Sequence, residues 1–357
     1  MHTPIWLDVD PGHDDAIAIL LAIHAPEIEL LGVSTVHGNA SAAHTALNAA
    51  RCLEVFGAPA HVKVYPGAAQ PLLKPAKHDP EIHGADGLGG VAGLPSPAAP
   101  GVQARFATHP DGALIRAIEG LAAAVRRSMQ SGEEGEVRGK VTVVACGPLT
   151  NIALWAAVYP ELLAGVEAIV FMGGGVGLGN RSAVAEYNIL CDPEAAQIVL
   201  NVPVRKVMLP LNVTHTAIAA PAVLARLLPA SAAQEGVRHT LATLITFFAA
   251  SYKSTFGFDI GPPLHDALTV AYVAQPQLFG GKRFRVDVEL RGEHTSGETV
   301  VDVWDYQRCD EGWGVGGKNV FVTQSVDVDA FFDMFFECVE RCERVTQGEN
   351  SAASRAR

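Results

Sequence analysis

The first sixteen residues already constrain the fold, because a strand, a turn and a helix follow one another there without a linker. Residues 5–9 form an apolar run with β propensity, Pro11-Gly12 breaks it, and an alanine- and isoleucine-rich run with helical character begins at once. Four carboxylates lie in or beside this turn: Asp8, Asp10, Asp14 and Asp15. We therefore predict a strand–turn–helix unit that concentrates negative charge at the end of the first strand.

This concentration of charge predicts a bound cation. Like charges a few Å apart in a partly buried turn cannot all remain ionised unless protons or a metal ion compensate them. Oxygen donors favour Ca²⁺ or Mg²⁺, and the chain has neither an HExxH nor a CxxC pattern that would indicate zinc. The alternative is that Asp14 only caps the helix and that Asp8 faces solvent.

Segments with strand and helix character alternate along most of the remaining chain. The later strand-like segments span residues 29–36, 61–65, 141–145, 168–172 and 204–209. Such alternation predicts an α/β fold, a single-domain, mostly parallel Rossmann-like sheet flanked by helices. In such sheets ligands bind at the carboxyl ends of the strands, so we expect the site there.

The C-terminal part departs from this alternation. Residues 283–290 and 299–304 alternate apolar and polar side chains around a Gly-Glu-His-Thr-Ser-Gly turn, which predicts a small antiparallel hairpin at the sheet edge. An amphipathic helix is predicted over 327–345. We expect one catalytic domain over residues 1–346 and a disordered tail over residues 347–357.

A long segment rich in proline, glycine and histidine occupies residues 66–110. Loops of this length are uncommon unless they are functional or disordered. Because the sequence EIHGADGLGG lies inside it at residues 81–90, we predict an active-site loop.

Charge and composition exclude several classes of partner. The net charge of −12 argues against a nucleic-acid groove or an anionic membrane surface. No apolar run approaches the ~18 residues that a membrane span needs, and the N-terminus lacks the features of a secretory signal. The six scattered cysteines are typical of reduced thiols, so we expect a cytoplasmic protein that acts on a small molecule.

Amide and carboxylate side chains recur at the predicted strand ends. Asn39, Asn180 and Asn188, with Glu186 beside the last of them, are the donors and acceptors expected around a sugar. A turn residue that satisfies its own backbone is the alternative for any single asparagine. Asp266 follows two prolines at the start of a later helix and is a further candidate oxygen donor.

Eight segments, in order along the chain, carry a resemblance to one enzyme family. They are DVDPGHDDA at 8–16, HGN at 37–39, HGADGLGG at 83–90, GPLTNIA at 147–153, FMGGG at 171–175, AEYNILCDPEAA at 185–196, LNVTHTA at 211–217 and PPLHDAL at 262–268. The chain resembles the inosine/uridine-preferring nucleoside hydrolases. The resemblance implies hydrolysis of a ribonucleoside, uridine or inosine, to free base and ribose in nucleoside salvage. It also implies one Ca²⁺ per subunit and a homodimer or homotetramer.

The resemblance also assigns roles residue by residue. Asp10, Asp15 and Asp266 correspond to the calcium's carboxylate ligands, and Asp10 to the general base. The backbone carbonyl of Cys146 corresponds to a further ligand, at a place where the family usually has threonine. The residues corresponding to the groups around the ribose are Asp14, Asn39, Glu186 and Asn188, with Asn180 beside them.

Protonation of the leaving base needs a separate group. His265, directly before Asp266, corresponds to the family's histidine on this side, and its ordinary pKa suits a general acid. His83 is the second candidate. Tyr252 and Phe256 lie four residues apart on one helix face and could line the base pocket, with core packing as the alternative. Tyr187 either lines the site or only packs beside Glu186.

The chemistry accounts for the gathering of carboxylates here. Cleavage of an N-glycosidic bond builds positive charge on the sugar, which nearby carboxylates stabilise. Direct attack by water on the face opposite the base predicts inversion at C1′. One alternative is a haloacid dehalogenase-like phosphatase, but Gly12 stands where that family has threonine or valine. The other is a non-catalytic nucleoside-binding protein.

Overall fold

The computed structural model describes residues 2–130, 139–228 and 235–355, with side chains as far as Gly348. Within these ranges no helix is both long and apolar enough to cross a bilayer. The predicted tail at 347–357 falls almost wholly beyond the described side chains. The backbone of residues 347–355 continues the last helix, and the prediction of disorder for the tail stays a prediction.

A twisted eight-stranded sheet forms the centre of the protein. The described strands are β1 (Thr3–Val9), β2 (Ile28–Thr35), β3 (Val64–Pro66), β4 (Val141–Ala145), β5 (Val166–Met172), β6 (Arg205–Leu209), β7 (Phe279–Phe284), β8 (Val286–Val288), β9 (Thr299–Val301) and β10 (Val320–Val326). The order in the large sheet is β3-β2-β1-β4-β5-β6-β10-β7, and every neighbouring pair is parallel except β10 with β7. The prediction of a mostly parallel α/β fold is confirmed.

Helices cover both faces of this sheet. They are α1 (His13–His24), α2 (Ala42–Val55), α3 (Pro80–His83), α4 (Pro100–Gln103), α5 (Ala117–Met129), α6 (Thr150–Val158), α7 (Tyr187–Cys191), α8 (Pro193–Asn201), α9 (Leu211–Thr214), α10 (Pro221–Leu227), α11 (Val237–Phe256), α12 (Ala267–Ala274) and α13 (Val328–Arg355). Short 3₁₀ turns span Pro160–Gly165 and Pro276–Leu278.

Side chains of the central strand point alternately into two apolar cores, as the two-residue period of a strand requires. Ile5 and Leu7 of β1 pack in the core that α1, α2 and α10 to α13 complete. Trp6 points the other way, into the core that α5, α6 and α8 complete. Because both faces are covered, the central strands are apolar on both sides, and polar groups collect at the strand ends.

The C-terminal hairpin lies at a different position from the predicted one. β8 and β9 do form an antiparallel pair, but they make a separate two-stranded sheet instead of the edge of the large one. The edge strand is β7, which pairs with β10, and neither strand was predicted. β7 reads Phe-Gly-Gly-Lys-Arg-Phe, so the apolar alternation that marks a half-buried strand is missing, as is common at protected sheet edges.

Other boundaries also differ from the prediction. The strand predicted at 61–65 is β3, Val64–Pro66, and the helix predicted at 327–345 is α13, Val328–Arg355, which ends ten residues later than predicted. The long segment 66–110 contains the short helices α3 and α4, and its buried residues Ile82 and His83 face the interior. This segment therefore supplies a wall of the molecule's central cavity, described below.

Candidate active site

The turn after β1 is held together by its own carboxylates. Asp15 accepts hydrogen bonds from the main-chain N–H of Asp10 (3.1 Å) and of Gly12 (3.0 Å). Asp10 Oδ2 accepts from the main-chain N–H of Asn39, at 2.9 Å, and the Asn39 amide donates to Asp15, at 3.1 Å. A Cβ on Gly38 would lie 1.9 Å from Asp10 Oδ2, so only glycine lets the second loop approach this closely.

Three buried carboxylates meet beside this turn. Oxygens of Asp14, Asp15 and Asp266 all lie within 4.8 Å of one another. Asp14 and Asp15 come from the first turn of α1, and Asp266 precedes α12, which packs on α1. Asp10 does not belong to this compact group and is joined to it through Asp15. The sequence-predicted cluster is thus brought together from two distant parts of the chain.

The electrostatics of the cluster require compensation of its charge by protons or by a cation. Burial raises the pKa of Asp10 well above its usual range, and repulsion from Asp15 raises it further. Burial, and to a smaller extent repulsion from Asp15, raise the pKa of Asp14 to about 7. Burial, and to a smaller extent repulsion from Asp14, raise the pKa of Asp266 well above its usual range. A cation among these groups would replace like-charge repulsion by attraction and keep the carboxylates ionised.

One carboxylate oxygen beside the acidic group lacks a hydrogen-bond partner. Asp10 Oδ1 is buried and has no hydrogen-bond partner in the part of the chain that the structure describes. A Cβ on Gly147 would lie 2.5 Å from this atom, so glycine leaves it open. The backbone carbonyl of Cys146 lies at the end of β4 and accepts from the Asn188 amide at 2.6 Å. Every donor here is an oxygen, which suits Ca²⁺ or Mg²⁺.

Asp8 lies in the protein interior and does not face solvent. It is fully buried, so the alternative that it faces solvent is wrong. Its carboxylate accepts hydrogen bonds from the Ser34 hydroxyl and from the Asn151 amide, the latter at 2.8 Å. Asp8 therefore ties β1 to its neighbours, below the acidic group.

An open cavity lies above the acidic group, and its volume is about 440 Å³ when the solvent space at its mouth is included. Of the residues assigned to the site from the sequence, all except Asp10 and Asp15 line it. These are Asp14, Asn39, His83, Cys146, Asn180, Glu186, Tyr187, Asn188, Tyr252, His265 and Asp266. Residues from distant parts of the chain thus share one wall. This placement fits the predicted site, and their individual roles stay predictions.

Two residues assigned to the sugar also build the cavity wall. Glu186 precedes α7 and accepts from the main-chain N–H groups of Asn188 (2.9 Å) and Gly174 (2.9 Å). Burial raises the pKa of Glu186 to about 7, although the hydrogen bond from Asn188 lowers it. Asn180 accepts from the main-chain N–H of Tyr187, at 2.9 Å, and the Tyr187 hydroxyl donates to the Gly38 carbonyl, at 3.0 Å. Tyr187 therefore serves both as wall and as support.

Both ring nitrogens of His265 are engaged. Nδ1 lies 2.7 Å from the Thr214 hydroxyl, and Nε2 lies 2.7 Å from the Tyr252 hydroxyl. Burial lowers the pKa of His265 well below its usual range, and His215 adds to this effect. Phe248 packs edge-on against Tyr252 and extends the aromatic wall that the four-residue spacing of Tyr252 and Phe256 predicted.

His83 lies on the same wall and contacts a histidine that sequence reasoning passed over. Its Nδ1 lies 3.3 Å from Nδ1 of His13, which opens α1. Burial lowers the pKa of His13 to about 4. Burial, and to a smaller extent the neighbouring His13, lower the pKa of His83 well below its usual range.

An ion pair in the cavity wall was also missed. Arg181 binds Asp79, and its guanidinium lies 5.3 Å from the ring centre of Phe256 and 6.0 Å from that of Tyr187. Asp79 follows a proline-rich loop and Arg181 follows Asn180. Neither residue belongs to a sequence motif that would have predicted the ion pair. Only the fold brings the two together. Phe248 could have been found, because it lies four residues before Tyr252 on the same helix.

Six of the eight segments that carry the resemblance contribute residues to the lining of this cavity, all except those at 147–153 and 211–217. Comparison with known proteins decides the family. A family model described as inosine-uridine preferring nucleoside hydrolase matches residues 5–333. The chain belongs to this family. The membership confirms the resemblance. It also confirms that the protein is an enzyme that hydrolyses N-glycosyl bonds. It favours neither the phosphatase nor the non-catalytic alternative.

Relatives and solved structures agree with this assignment. This nucleoside hydrolase is 38% identical over 344 residues to a "Probable ribonucleoside hydrolase" of Dictyostelium discoideum, covering 95% of each chain. It is 38% identical over 336 residues to a "Pyrimidine-specific ribonucleoside hydrolase RihA" of Klebsiella pneumoniae, covering 94% of this chain and 97% of the relative. A solved "Purine-Preferring Ribonucleoside Hydrolase from Gardnerella vaginalis" superposes with a TM-score of 0.78 at 28% identity, covering 96% of this chain and 99% of that one.

Proposed function

We propose that this nucleoside hydrolase cleaves the N-glycosidic bond of uridine, and next of inosine, with water to give free base and ribose. The observation that carries the proposal is a single cavity lined by buried carboxylates and by a histidine–tyrosine pair. Carboxylates stabilise the positive charge that develops on the sugar, and the pair lies within reach of a departing base.

The relatives support uridine as the first substrate. Relatives named pyrimidine-specific are 36 to 38% identical to this chain, whereas the solved purine-preferring enzyme is 28% identical. We expect kcat/KM for uridine to exceed that for inosine by about 10-fold, the discrimination that a pocket of fixed size gives. Initial rates of base release measure both constants. An inosine constant above the uridine constant contradicts this order.

The residues of the acidic group fit Ca²⁺. Asp10, Asp15 and Asp266 with the Cys146 carbonyl would hold it, and the free Asp10 Oδ1 is the observation that supports this set. When bound, Ca²⁺ fixes sugar hydroxyls and makes a bound water more acidic. The affinity is expected to depend on Asp15 most, because its carboxylate bridges Asp10, Gly12 and Asn39.

Protein side chains carry out the remaining steps. Asp10, whose carboxylate is anchored at Oδ2 by the Asn39 N–H, would take a proton from water as the general base. Asp14, Asn39 and Asn188 are placed to bind ribose hydroxyls, with Glu186 and Asn180 on the adjoining wall. In its protonated form, His265 would pass the Nε2 proton to the Tyr252 hydroxyl while that hydroxyl gives its own proton to the base, which leaves His265 neutral. Because burial lowers the pKa of His265, this protonated form is a minor and strongly acidic one.

Removal of the metal should abolish turnover and lower stability. An ion present at ~1,000 times its dissociation constant stabilises the folded state by about 4 kcal/mol, so a chelator should lower the unfolding midpoint as well as the rate. Calorimetry and elemental analysis of the dialysed protein measure both effects, and one calcium per chain is expected. A protein that stays fully active with less than about a tenth of an equivalent of metal contradicts the assignment.

We further propose that residues 1–346 act as one catalytic unit and that the enzyme works in the cytoplasm as a homodimer or homotetramer. The continuous sheet from β3 to β7 supports the single unit. Light scattering of the purified protein gives the subunit number, and a monomer at micromolar concentration contradicts the proposed assembly.

A further inference from the structure

Arg181 borders the cavity but has no part in the mechanism proposed above. Among the described residues of the lining it is the one lysine or arginine. Its guanidinium binds Asp79 through Nη2, and its side chain is 20% exposed. Within the described ranges, Nε and Nη1 make no hydrogen bond to protein. A permanently charged group with unused N–H donors therefore borders the space that a nucleoside would fill.

The contacts of Arg181 place its guanidinium on the aromatic wall. The central carbon of the guanidinium lies 5.3 Å from the ring centre of Phe256, and that ring lies 5.1 Å from the ring of Tyr252. Asp79 directly precedes α3, which contributes His83 to the same wall. The carboxylates assigned to the metal come from other elements, at α1 and before α12. Arg181 therefore belongs to the side of the cavity where the base would lie.

A second cavity lies on the outer side of the ion pair. It is lined by residues 77–81, Tyr187 and Leu190, together with Arg181. The guanidinium lies 6.0 Å from the ring centre of Tyr187, which lines both cavities, and 5.3 Å from that of Phe256, which lines the inner cavity but not the outer one. The guanidinium thus packs against the wall of the inner cavity, where its free N–H groups can meet a base.

We propose that Arg181 is a specificity-determining residue that donates hydrogen bonds to a carbonyl oxygen of the nucleobase. The inference rests on the nucleoside hydrolase function proposed above. Guanidinium N–H groups donate and never accept, so they match the oxo group of uracil or hypoxanthine and oppose the amino group of adenine. As the bond from C1′ to the base breaks, its electron pair moves into the base and is shared with the carbonyl oxygen. The charge-assisted hydrogen bond therefore strengthens as cleavage proceeds.

Asp79 fixes the direction of the guanidinium. Its Oδ2 accepts from Nη2, and its main-chain N–H donates to the Asn39 carbonyl at 3.1 Å. The single contact through Nη2 orients the group between Phe256 and Tyr187 and leaves the remaining donors unused. A donor that is already oriented loses little conformational freedom when a ligand binds, so its hydrogen bond contributes more to affinity.

Turnover of two matched nucleosides tests this role. Inosine carries an oxo group at the ring position where adenosine carries an amino group. We expect Arg181→Met to lower kcat/KM on inosine by about 10- to 100-fold, the effect of losing a hydrogen bond to a charged group, and to change kcat/KM on adenosine by less than about 3-fold. Equal losses on both nucleosides, as a role in holding the wall or binding the sugar would give, overturn the proposal.

Two further variants separate recognition from packing. Asp79→Asn weakens the ion pair but keeps the guanidinium and can still accept from Nη2, so the preference for inosine over adenosine should persist. Arg226→Met is the matched control, because Arg226 pairs with Asp333 at 2.9 Å and lies 3.9 Å from the ring centre of Phe336 on the surface. It should leave both rates unchanged. Loss of the preference in Asp79→Asn to the same extent as in Arg181→Met overturns the proposal.

Uncleavable ligands test the recognition without turnover. Formycin B and formycin A are C-nucleosides, joined to ribose by a carbon–carbon bond, and carry an oxo and an amino group at the same ring position. Titration calorimetry of the full-length wild type in calcium buffer should show formycin B binding at least about 10-fold more tightly, and Arg181→Met should reduce this difference below about 3-fold. Equal binding by wild type, or an unchanged difference in the variant, overturns the proposal. Because neither ligand is hydrolysed, this outcome is distinct from a failure of the proposed hydrolysis.

Discussion

Replacing Asp10 with asparagine should lower kcat by roughly 10³- to 10⁴-fold, the range that loss of a general base produces. Asparagine keeps the size of the side chain and can still accept from the Asn39 N–H. It removes the negative charge of the carboxylate, which both a general base and a metal ligand need, at a side chain whose Oδ1 is buried without a partner among the described residues. Initial rates on uridine, with calcium content measured on the same sample, test the effect.

The control for this variant is Asp111→Asn. Asp111 is an exposed aspartate that does not line the cavity, and within the described part of the chain its carboxylate accepts only from the Ala113 N–H, at 3.0 Å. Its charge should therefore not matter for turnover. If Asp10→Asn keeps near wild-type turnover, Asp10 is neither the base nor a required ligand. If it loses turnover but also loses its calcium, the ligand role accounts for the defect.

His265→Ala should lower kcat on inosine by about 10²- to 10³-fold while the calcium stays bound. The change removes both hydrogen bonds of the imidazole, to Thr214 and to Tyr252, and so interrupts the path by which a proton reaches the base. It leaves the carboxylates in place. A second substrate, 4-nitrophenyl riboside, sharpens the test because its leaving group departs without a proton. The His265→Ala variant should therefore cleave this substrate at close to the wild-type rate.

Tyr252→Phe and His44→Ala complete this experiment. Tyr252→Phe removes only the hydroxyl that occupies His265 Nε2, so its defect should resemble that of His265→Ala on both substrates. His44 is exposed on α2, and its loss should have no effect. Wild-type rates of His265→Ala on inosine, or equal losses on inosine and 4-nitrophenyl riboside, would remove the general-acid role.

Much of the fold could be predicted because local pattern and tertiary environment agree. The apolar run of β1 is buried on both faces, as a central parallel strand requires, and its polar residues stand where the strand ends. The acidic turn could be recognised because four carboxylates within residues 8–15 repel one another unless a cation or protons compensate them. In these segments the physical constraint lies within one short stretch of sequence.

The residues that were missed depend on contacts between distant segments. β7 lacks an apolar pattern because its side chains are largely exposed, and it becomes a strand only through its pairing with β10. Asp79 meets Arg181 across 102 positions of the chain. His13 meets His83 only because Gly12 lets the 83–90 loop approach. No local propensity records such pairings.

The most direct test of the account is ribose release, read as reducing sugar, from uridine, cytidine, inosine, adenosine and guanosine in buffer without phosphate, with and without a calcium chelator. We predict release from uridine, with inosine next, and its loss on chelation. Release that requires phosphate would indicate a phosphorolytic reaction. No release from any of the five by a protein shown to contain calcium would contradict the proposed hydrolysis.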